Sequence, residues 1–506
     1  MDLGLELSRT HLPIARVYRH AQQLPDTTAL VEGDVELTFG ELWERIQTAA
    51  ARLADAGVSR GDRVAIVAGN SAAYPVLVYA VNYLGAIIVP VNFRLAAGEI
   101  GYILTNCEPK VVVADAERAN TTQDAIAGVS VQFLDLDQVV APGSLEGVPA
   151  PIICDLSDDQ AIMYTSGTTG RPKGAVLTYS NFHATVLRIS NSWNVTPGRD
   201  GVLIASPMFH IAAFNVLLGS VANAGKTVIT PSTSFDPAHL LDVMEEHGVT
   251  RTFMVPAQWQ LIAEELRRKP RNVELGFYSW GAAPATESLL MMLRETFPDA
   301  DSQAAFGQTE TTASGVSLSH EDSLRKLGSV GLPDVNYSIR VVDSNMRDVP
   351  RGEVGEIVYR DPGVMDRFWN DPRATAEAFA GGWFHSGDLV RQDEEGFIYV
   401  VDRVKDMIIS GGENIYCAEL ENTIAWHPKV AEVAVVGRPD EKWGEVPVAV
   451  IIPRDRNDVP TLEDIREFCD GKLARYKHPK DLILRESFPL SGTGKIRKTD
   501  LRQEVQ

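Results

Sequence analysis

Hydrophobic positions along this chain follow two spacings, one typical of amphipathic helices and one typical of buried strands. Residues 38–56, which begin Thr-Phe-Gly-Glu-Leu, predict a capped amphipathic helix. Short apolar runs that predict strands recur between helical segments at residues 63–67, 110–114, 227–230, 339–342 and 356–359. Because helices and strands alternate throughout, we expect an α/β fold built in layers.

A stretch without charged residues, from Ala72 to Val91, admits two interpretations. Its length and apolar character are those of a membrane span. Two prolines, an asparagine and a glycine interrupt it, however, and it divides into a helix that ends near Gly85 and a strand over residues 86–91. We therefore interpret it as buried core and expect no integral membrane segment.

Length and charge narrow the class of protein. A chain of 506 residues is too long for one core, so about two to four domains are expected. The net charge of −21 repels nucleic acid and anionic membranes, so neither is an expected partner, and any anionic ligand must be held by local charge and backbone dipoles. The scattered cysteines indicate neither a disulfide framework nor a zinc site, and the N-terminus lacks the pattern of a secretory signal. These features favour a cytoplasmic protein, and they leave its oligomeric state, including a homodimer, open.

A domain boundary is predicted near the charged segment Asp-Arg-Val-Lys-Asp at residues 402–406. A strand-type run at 396–400 precedes this segment. A second, smaller α/β pattern follows it, with helices at 418–425 and 462–473 and strands at 430–436 and 446–452. The last hundred or so residues suffice for a small independent domain. A charged surface turn is the alternative reading of the segment.

The most informative stretch lies at residues 164–174, Tyr-Thr-Ser-Gly-Thr-Thr-Gly-Arg-Pro-Lys-Gly, directly behind a short strand-type run. Its glycines free the backbone so that successive N–H groups can turn towards an anion, while its hydroxyls and Lys173 add donors and a positive charge. The spacing differs from that of a Walker A loop. We interpret the stretch as a polyphosphate-binding loop; it consists of Thr165, Ser166, Gly167, Thr168, Thr169, Gly170 and Lys173.

This loop resembles the signature of the adenylate-forming superfamily, which includes acyl-CoA synthetases, firefly-type luciferases and adenylation domains of peptide synthetases. The resemblance extends over nearly the whole chain, because the family's other motifs follow in order. It implies that a carboxylate attacks ATP, that pyrophosphate leaves, and that a thiol then takes the acyl group. It also implies a large N-terminal domain of several subdomains over residues 1–402, a hinge at 403–406 centred on Lys405, and a mobile C-terminal lid over 407–506.

A carboxylate attacking a phosphate brings two anions together, so positive charge must be in place beforehand. Phe306-Gly-Gln-Thr-Glu resembles the family motif in which Thr309 contacts phosphate and Glu310 holds Mg²⁺. Such an ion prefers one or two carboxylates plus phosphate oxygens. Lys495, in the loop Ser-Gly-Thr-Gly-Lys, matches the family's lysine that bridges the substrate carboxylate and the α-phosphate. Lys173 then neutralises the leaving pyrophosphate.

The resemblance also implies sites for the nucleoside and for coenzyme A (CoA). The adenine is expected between Phe306-Gly307 and a small-residue segment, and the ribose on Asp388 with Arg403 beside it. The pantetheine arm of CoA is expected at Ser410, Gly411 and Gly412, where a side chain would block the path. Lys477, in a basic run at 472–480, is a candidate for the CoA phosphates, although a solvated helix face explains that run equally well. The small-residue segment consists of Gly281, Ala282, Ala283 and Pro284.

The identity of the acid is the least readable part of the sequence. His210 matches the ring beside the substrate carboxylate, and Ile211 stands where peptide-synthetase domains place an aspartate. A buried ammonium without a counter-charge is costly, so α-amino acids are disfavoured. Phe214, Trp280 and Gly307 are expected to line the acyl pocket with His210. Trp280 would shorten or redirect that pocket, or it fills core instead.

The main hypothesis is therefore an ATP- and Mg²⁺-dependent acyl-CoA synthetase that acts on a hydrophobic carboxylic acid. The first alternative is an acyl-AMP ligase that loads a carrier protein, which would need the same adenylation residues. A non-catalytic nucleotide-binding scaffold is the second alternative. Retention of Lys495 and Glu310 argues against the scaffold.

Overall fold

The computed structural model describes residues 6–7, 10–165, 171–232, 235–335, 337–411, 413–490 and 496–505. The described residues within 1–165, 172–339 and 359–384 form one compact unit. Those within 340–358 and 385–506, together with Arg171, form a second. Each unit is a mixed α/β structure, as the alternating hydrophobic pattern predicts.

One sheet of the first unit is mainly parallel at its centre. Its central strands are buried on both faces and rich in β-branched residues, which is typical of a parallel sheet covered by helices. Antiparallel strands close both of its edges. In order across the sheet the strands are Leu332–Pro333, Val316–Ser319, Asp301–Phe306, Phe277–Gly281, Val249–Met254, Gly201–Ile204, Lys226–Ile229, Thr28–Glu32 and Val35–Thr38.

A second sheet of the first unit contains the strand that leads into the predicted phosphate loop. Val64, Ile88 and Val112 lie at its fully buried centre. Its strands, in order, are Arg367–Phe368, Lys173–Thr178, Asp159–Thr165, Ile87–Pro90, Arg63–Val67, Val111–Ala114 and Gln132–Asp135.

Helices of the first unit follow the predicted pattern. The helix expected at 38–56 is observed at Phe39–Asp55, where Thr38 and Glu41 form a reciprocal capping box. The uncharged stretch forms the buried helix Ala73–Tyr83 and a strand. None of the described helices has the combination of length and apolar character needed to cross a bilayer. The remaining α-helices are Pro13–Gln23, Ala97–Cys107, Ala119–Ala125, Leu136–Val140, Tyr179–Trp193, Ile211–Ala222, Pro237–Glu246, Pro256–Arg268, Glu287–Thr296, Asp322–Arg325 and Pro372–Ala378.

The second unit contains most of one sheet and the whole of another, mainly antiparallel, sheet. The first has the order Ser338–Val342, Val354–Arg360, Phe384–Gln392, Ile398–Arg403. The other has the order Glu413–Ile415, Ile408–Ser410, Gly444–Pro453, Val430–Asp440, with Asp481–Leu484 also paired to Gly444–Pro453. The helices Cys417–Ile424, Leu462–Cys469 and Lys498–Glu504 accompany them.

The helix predicted at 462–473 is shorter than expected. It ends at Cys469, because Asp470 leaves the helical region with a ψ of 134°. The basic segment that follows contains only the short 3₁₀ turn Arg475–Lys477. The basic run therefore does not lie on the face of a regular α-helix.

All four cysteines are free and buried. Burial raises the pKa of the Cys107 thiol to about 12. Burial also raises the pKa of the thiols of Cys154, Cys417 and Cys469. No disulfide joins these residues, as the sequence predicts.

Candidate active site

Two sheets of the first unit meet at the predicted phosphate and metal residues. Thr165 ends the strand Asp159–Thr165, and Glu310 lies in a 3₁₀ turn just after the strand Asp301–Phe306. The Thr165 hydroxyl donates to Glu310 Oε1 at 3.2 Å. Residues that the sequence places 145 positions apart are thus brought into direct contact.

The segment around Glu310 is a closed loop. Gly315 N–H donates to the Phe306 carbonyl at 3.0 Å, and Ala313 N–H donates to the Gln308 carbonyl at 2.9 Å. A Cβ on Gly307 would lie 2.7 Å from Ser314 Cα, so this close approach of two backbone segments requires glycine. We call residues 306–315 the Glu310 loop. Glu310 itself is 8% exposed, and a single carboxylate in such a place fits a Mg²⁺ that takes its other ligands from phosphate and water.

The expected adenine segment follows a neighbouring strand at the same sheet edge. Gly281 pairs in parallel with Ala305, so Phe306 and the segment after Gly281 both leave the carboxyl ends of adjacent strands. Ala282 has a φ of 65°, and the segment through Pro284 is exposed. Such ends of parallel strands are common ligand positions in open α/β sheets.

Lys173 begins the strand that follows the phosphate loop, with its ammonium 5.2 Å from the centre of the Phe368 ring. The intervening residues 166–170 lie outside the described part of the chain. So do Gly412 and Lys495. The roles predicted for these residues therefore stay predictions.

The predicted ribose residues form an ion pair in the second unit. Asp388 and Arg403 occupy paired positions on adjacent antiparallel strands, and Arg403 Nε lies 2.7 Å from Asp388 Oδ1. Arg403 Nη2 also donates to the Ser386 carbonyl at 3.2 Å, and Asp388 N–H donates to Ser386 Oγ at 3.0 Å. These contacts fix the buried carboxylate of Asp388.

The residues expected at the acyl pocket come from three elements of the first unit: the start of the helix Ile211–Ala222, the strand Phe277–Gly281 and, for Gly307, the Glu310 loop. His210 is the N-cap of the helix Ile211–Ala222, and its ring lies 4.2 Å from that of Phe209. Phe214, one turn into the helix, is fully buried and packs on Phe182 at 5.4 Å between ring centres.

Trp280 is buried in the strand Phe277–Gly281, with 4% of its surface exposed. It lies on the same face as Tyr278, with ring centres 6.1 Å apart. Tyr278 in turn packs against Trp259 and Phe297 from the neighbouring helical layer. This surrounding is compatible with a core-filling tryptophan, and the predicted pocket role stays a prediction.

In the second unit, the predicted CoA residues lie close to an aromatic side chain that sequence reasoning did not identify. Gly411 N–H donates to the Trp443 carbonyl at 2.7 Å, and the Trp443 ring lies against the position of a Gly411 side chain. Trp443 is 32 positions along the chain, so no local pattern indicates this contact.

The Lys477 ammonium is already paired. It lies 2.6 and 2.8 Å from the two carboxylate oxygens of Glu419. A phosphate bound by Lys477 would have to compete with that carboxylate.

Side chains before and after the predicted hinge contact different elements of the second unit. Arg403 contacts the strand Phe384–Gln392, as described above, whereas Asp406 Oδ1 accepts from Arg502 at 2.7 Å. Cys417 Sγ–H donates to the Asp406 carbonyl at 2.9 Å. A longer bond, at 3.4 Å, joins Ala418 N–H to Asp402.

The chain is similar to known proteins over most of its length. Residues 17–369 match the family model described as AMP-binding enzyme, and residues 419–495 match that of the AMP-binding enzyme C-terminal domain. A feruloyl-CoA synthase of Amycolatopsis sp is 36% identical over 96% of this chain and 97% of the relative. The long-chain-fatty-acid–CoA ligase FadD13 of Mycobacterium tuberculosis is 37% identical over 93% of each chain.

Among solved structures, o-succinylbenzoate CoA synthetase (MenE) from Bacillus subtilis, in complex with the acyl-adenylate intermediate OSB-AMP, has a TM-score of 0.87. It is 31% identical, and the match covers 96% of this chain and 97% of that one. Another structure of that enzyme, in complex with ATP and magnesium ion, has a TM-score of 0.84 and 31% identity, with 97% and 98% covered.

The chain therefore belongs to the AMP-binding enzyme family. It lies in the acyl-CoA ligase branch of the adenylate-forming enzymes, and it is an AMP-forming acid–thiol ligase that acts through an acyl-adenylate. The predicted superfamily is confirmed, as is the fold class with a large N-terminal and a small C-terminal domain. Loading of a carrier protein is not favoured, because these relatives are CoA ligases. The predicted boundary at 402–406 falls between the two matched segments and stays a prediction.

Proposed function

We propose that this enzyme activates a hydrophobic carboxylic acid with ATP and Mg²⁺ and transfers the acyl group to CoA. The contact between Thr165 and Glu310 carries the proposal. It joins the start of the phosphate loop to the predicted metal ligand, and both residues lie at the carboxyl ends of strands, one from each sheet. The relatives named above act on ferulate, long-chain fatty acids and o-succinylbenzoate, which share an apolar ring or chain.

Each step draws on particular side chains. Glu310 would hold Mg²⁺, which neutralises phosphate charge when bound, while Thr309 and Lys173 would contact the phosphates. Asp388, oriented by Arg403, would accept hydrogen bonds from the ribose hydroxyls. Lys495 would bridge the acid and the α-phosphate, and Ser410, Gly411 and Gly412 would border the path of the pantetheine arm.

The change of contacts on either side of Lys405 supports a hinge there. Arg403 is held by the strand that carries Asp388, and Asp406 is held by Arg502 of the C-terminal helix. Rotation about residues 404 and 405 would leave both ion pairs intact. The 3.4 Å bond between Ala418 and Asp402 would have to break. So would the bonds of 2.9 and 3.1 Å from the Asp406 and Met407 N–H groups to the Arg403 carbonyl.

A panel of acids tests the proposal. AMP release is measured with ATP and each acid, with and without CoA, for ferulate, long-chain fatty acids and o-succinylbenzoate. Phenylalanine and 3-phenylpropanoate form a matched pair that differs only in the amino group. Because Ile211 is buried after His210, the desamino acid should be the better substrate. AMP release with none of the apolar acids, or preference for phenylalanine, would contradict the proposal.

A carrier-protein acceptor is the alternative that this panel also tests. Acids that give acyl-AMP in the absence of CoA, with no acceleration by CoA, would favour it. Formation of acyl-CoA at a rate that depends on CoA concentration would favour the main proposal.

A further inference from the structure

The Glu310 loop contains a turn that residues with side chains rarely adopt. Thr312 has a φ of 46° and Ala313 a φ of 71°. A positive φ is uncommon for any residue other than glycine, and for a β-branched residue such as threonine it is an outlier. Backbone strain of this kind persists only where the surroundings impose it, and it is concentrated at functional sites.

The side chain of Thr312 explains why glycine does not occupy this position. Its hydroxyl is fully buried, donates to the Gly363 carbonyl at 2.8 Å and accepts from the Thr185 hydroxyl at 2.8 Å. The Tyr337 hydroxyl lies 3.2 Å away. The one donor hydrogen of the Thr312 hydroxyl is therefore used by Gly363, and Thr185 occupies one of its two acceptor positions.

The backbone around Thr312 is held as firmly as its side chain. The Thr312 carbonyl accepts from Asn215 Nδ2 at 2.8 Å, and the Thr311 carbonyl accepts from the Tyr337 hydroxyl at 3.0 Å. Two helices and two loop segments of the first unit thus converge on this turn.

The same contacts control the position of Glu310. Thr312 N–H donates to the Thr309 carbonyl at 3.1 Å, which closes the 3₁₀ turn that contains Glu310. Gly363 accepts from Thr312, and Met365, two residues later, donates its N–H to the Glu310 carbonyl at 2.7 Å. One short segment therefore anchors both the turn and the carboxylate-bearing residue.

We propose that Thr312 is a positioning residue that holds Glu310 ready to bind Mg²⁺ with ATP. Thr312 acts through the Glu310 loop and does not itself touch the substrate. The inference rests on the proposed function, in which Glu310 is the metal ligand. Loss of its hydroxyl should weaken Mg²⁺ binding by about tenfold or more, the usual effect of removing a group that orients a metal ligand.

Thr312→Val tests this inference, because valine keeps the shape and the β-branching but lacks the hydroxyl. Calorimetric titration measures the affinity for ATP with Mg²⁺ and with EDTA. We expect Thr312→Val to lose most of the Mg²⁺-dependent gain in ATP affinity and to keep the metal-free affinity. Thr312→Ser, which restores the hydroxyl, should recover the gain to within about threefold of the parental enzyme.

Thr227→Val provides the matched control. Thr227 is also fully buried, and its hydroxyl lies 2.7 Å from that of Ser220 in another part of the first unit. This variant should lose stability but keep the Mg²⁺ dependence. A Mg²⁺ dependence in Thr312→Val equal to that of the parental enzyme, or an equal loss in Thr227→Val, would overturn the inference.

Thr185→Val keeps the test valid if Thr312→Val does not fold, since it removes one hydrogen bond to the same hydroxyl. It should raise the Mg²⁺ requirement in the same direction, and an unchanged requirement would overturn the inference. Failure of the proposed function would give a different result. Glu310→Gln would then show the same Mg²⁺ dependence of ATP affinity as the parental enzyme, which would mean that Glu310 is not a metal ligand.

Discussion

Gly411 adopts a backbone conformation that side chains disfavour, and it does so directly beneath an aromatic ring. Its φ is 61°, and a Cβ there would lie 2.7 Å from Trp443 Cε3. Gly411→Ala should therefore displace the ring or the loop. We expect CoA-dependent thioester formation to fall on the order of 10- to 100-fold, as when a binding group is misplaced by about an ångström. Pyrophosphate exchange, which reports adenylation alone, should be retained.

Gly471→Ala is the control for this substitution. Gly471 also has a positive φ, 74°, but a Cβ there would meet nothing within 4 Å. It should carry the backbone strain without blocking a path. Equal losses of thioester formation in both variants would show that strain, rather than the ring contact, causes the effect.

A substitution at Trp280 tests whether its ring shortens the acyl pocket. If the ring lines the pocket, Trp280→Gly opens volume, and each additional buried CH₂ of the acid gains roughly 0.8 kcal/mol. The ratio of kcat/KM for a long over a short acid should then rise by about one to two powers of ten. Tyr278→Ala, on the same strand face, is the comparison. A lower Tm with an unchanged acid profile, as expected for Tyr278→Ala, would show that Trp280 fills core.

At the scale of elements, the segment after the strand Val354–Arg360 carries a carboxyl group that resists ionisation. Burial, opposed by the hydrogen bond from the Gly363 N–H and assisted by the nearby Asp334 carboxylate, raises the pKa of Asp361 to about 6. One of its oxygens is buried without a hydrogen-bond partner in the described structure. The ionised group therefore opposes folding above pH 6.

Asp361→Asn should stabilise the protein at neutral and alkaline pH. A raised native pKa means that the folded state binds more protons, so this group's contribution to the free energy of unfolding falls as pH rises from about 4 to about 6. After discounting for its partial exposure, we expect the variant to gain about 1 kcal/mol at pH 8 and almost nothing at pH 4. Urea unfolding at the two pH values measures this. A gain of equal size at both would exclude ionisation as its cause.

Individual elements could be predicted from the sequence, but the contacts between them could not. The helix Phe39–Asp55 and the strand Arg63–Val67 were predictable, because capping residues and local hydrophobic spacing determine them. Contacts between residues of different elements were harder to predict from the sequence. Asp388 and Arg403 were recognisable from motifs, but their ion pair depends on the register of two strands.

The Thr312 turn was the hardest feature to predict. Residues 309–312 read Thr-Glu-Thr-Thr, and this run of hydroxyls was the available signal. Its strained conformation depends on Thr185, Tyr337 and Gly363, which come from distant parts of the sequence. Long-range packing of this kind overrides local preference.

For the whole molecule, the proposed reaction has two half-reactions that should depend on different residues. Lys495→Ala should slow adenylation on the order of 10²–10³-fold, the usual loss when one preorganised charge donor is removed. Thioester formation from synthetic acyl-AMP and CoA should change little if the lid turns on its hinge and carries this lysine away between the steps. Comparable losses in both half-reactions would contradict the predicted role of Lys495.

The buried cysteines have a practical consequence for observing such a rotation. Thiol-reactive spin labels and fluorophores attack the thiolate, which is scarce for a buried thiol whose pKa lies well above neutrality. The native protein should therefore take up little label in its folded state. Two cysteines introduced at exposed positions, one on either side of residue 405, could then be labelled without first replacing the native four. Distances between the labels, measured with ATP or with an acyl-AMP analogue and CoA, would report directly on lid movement.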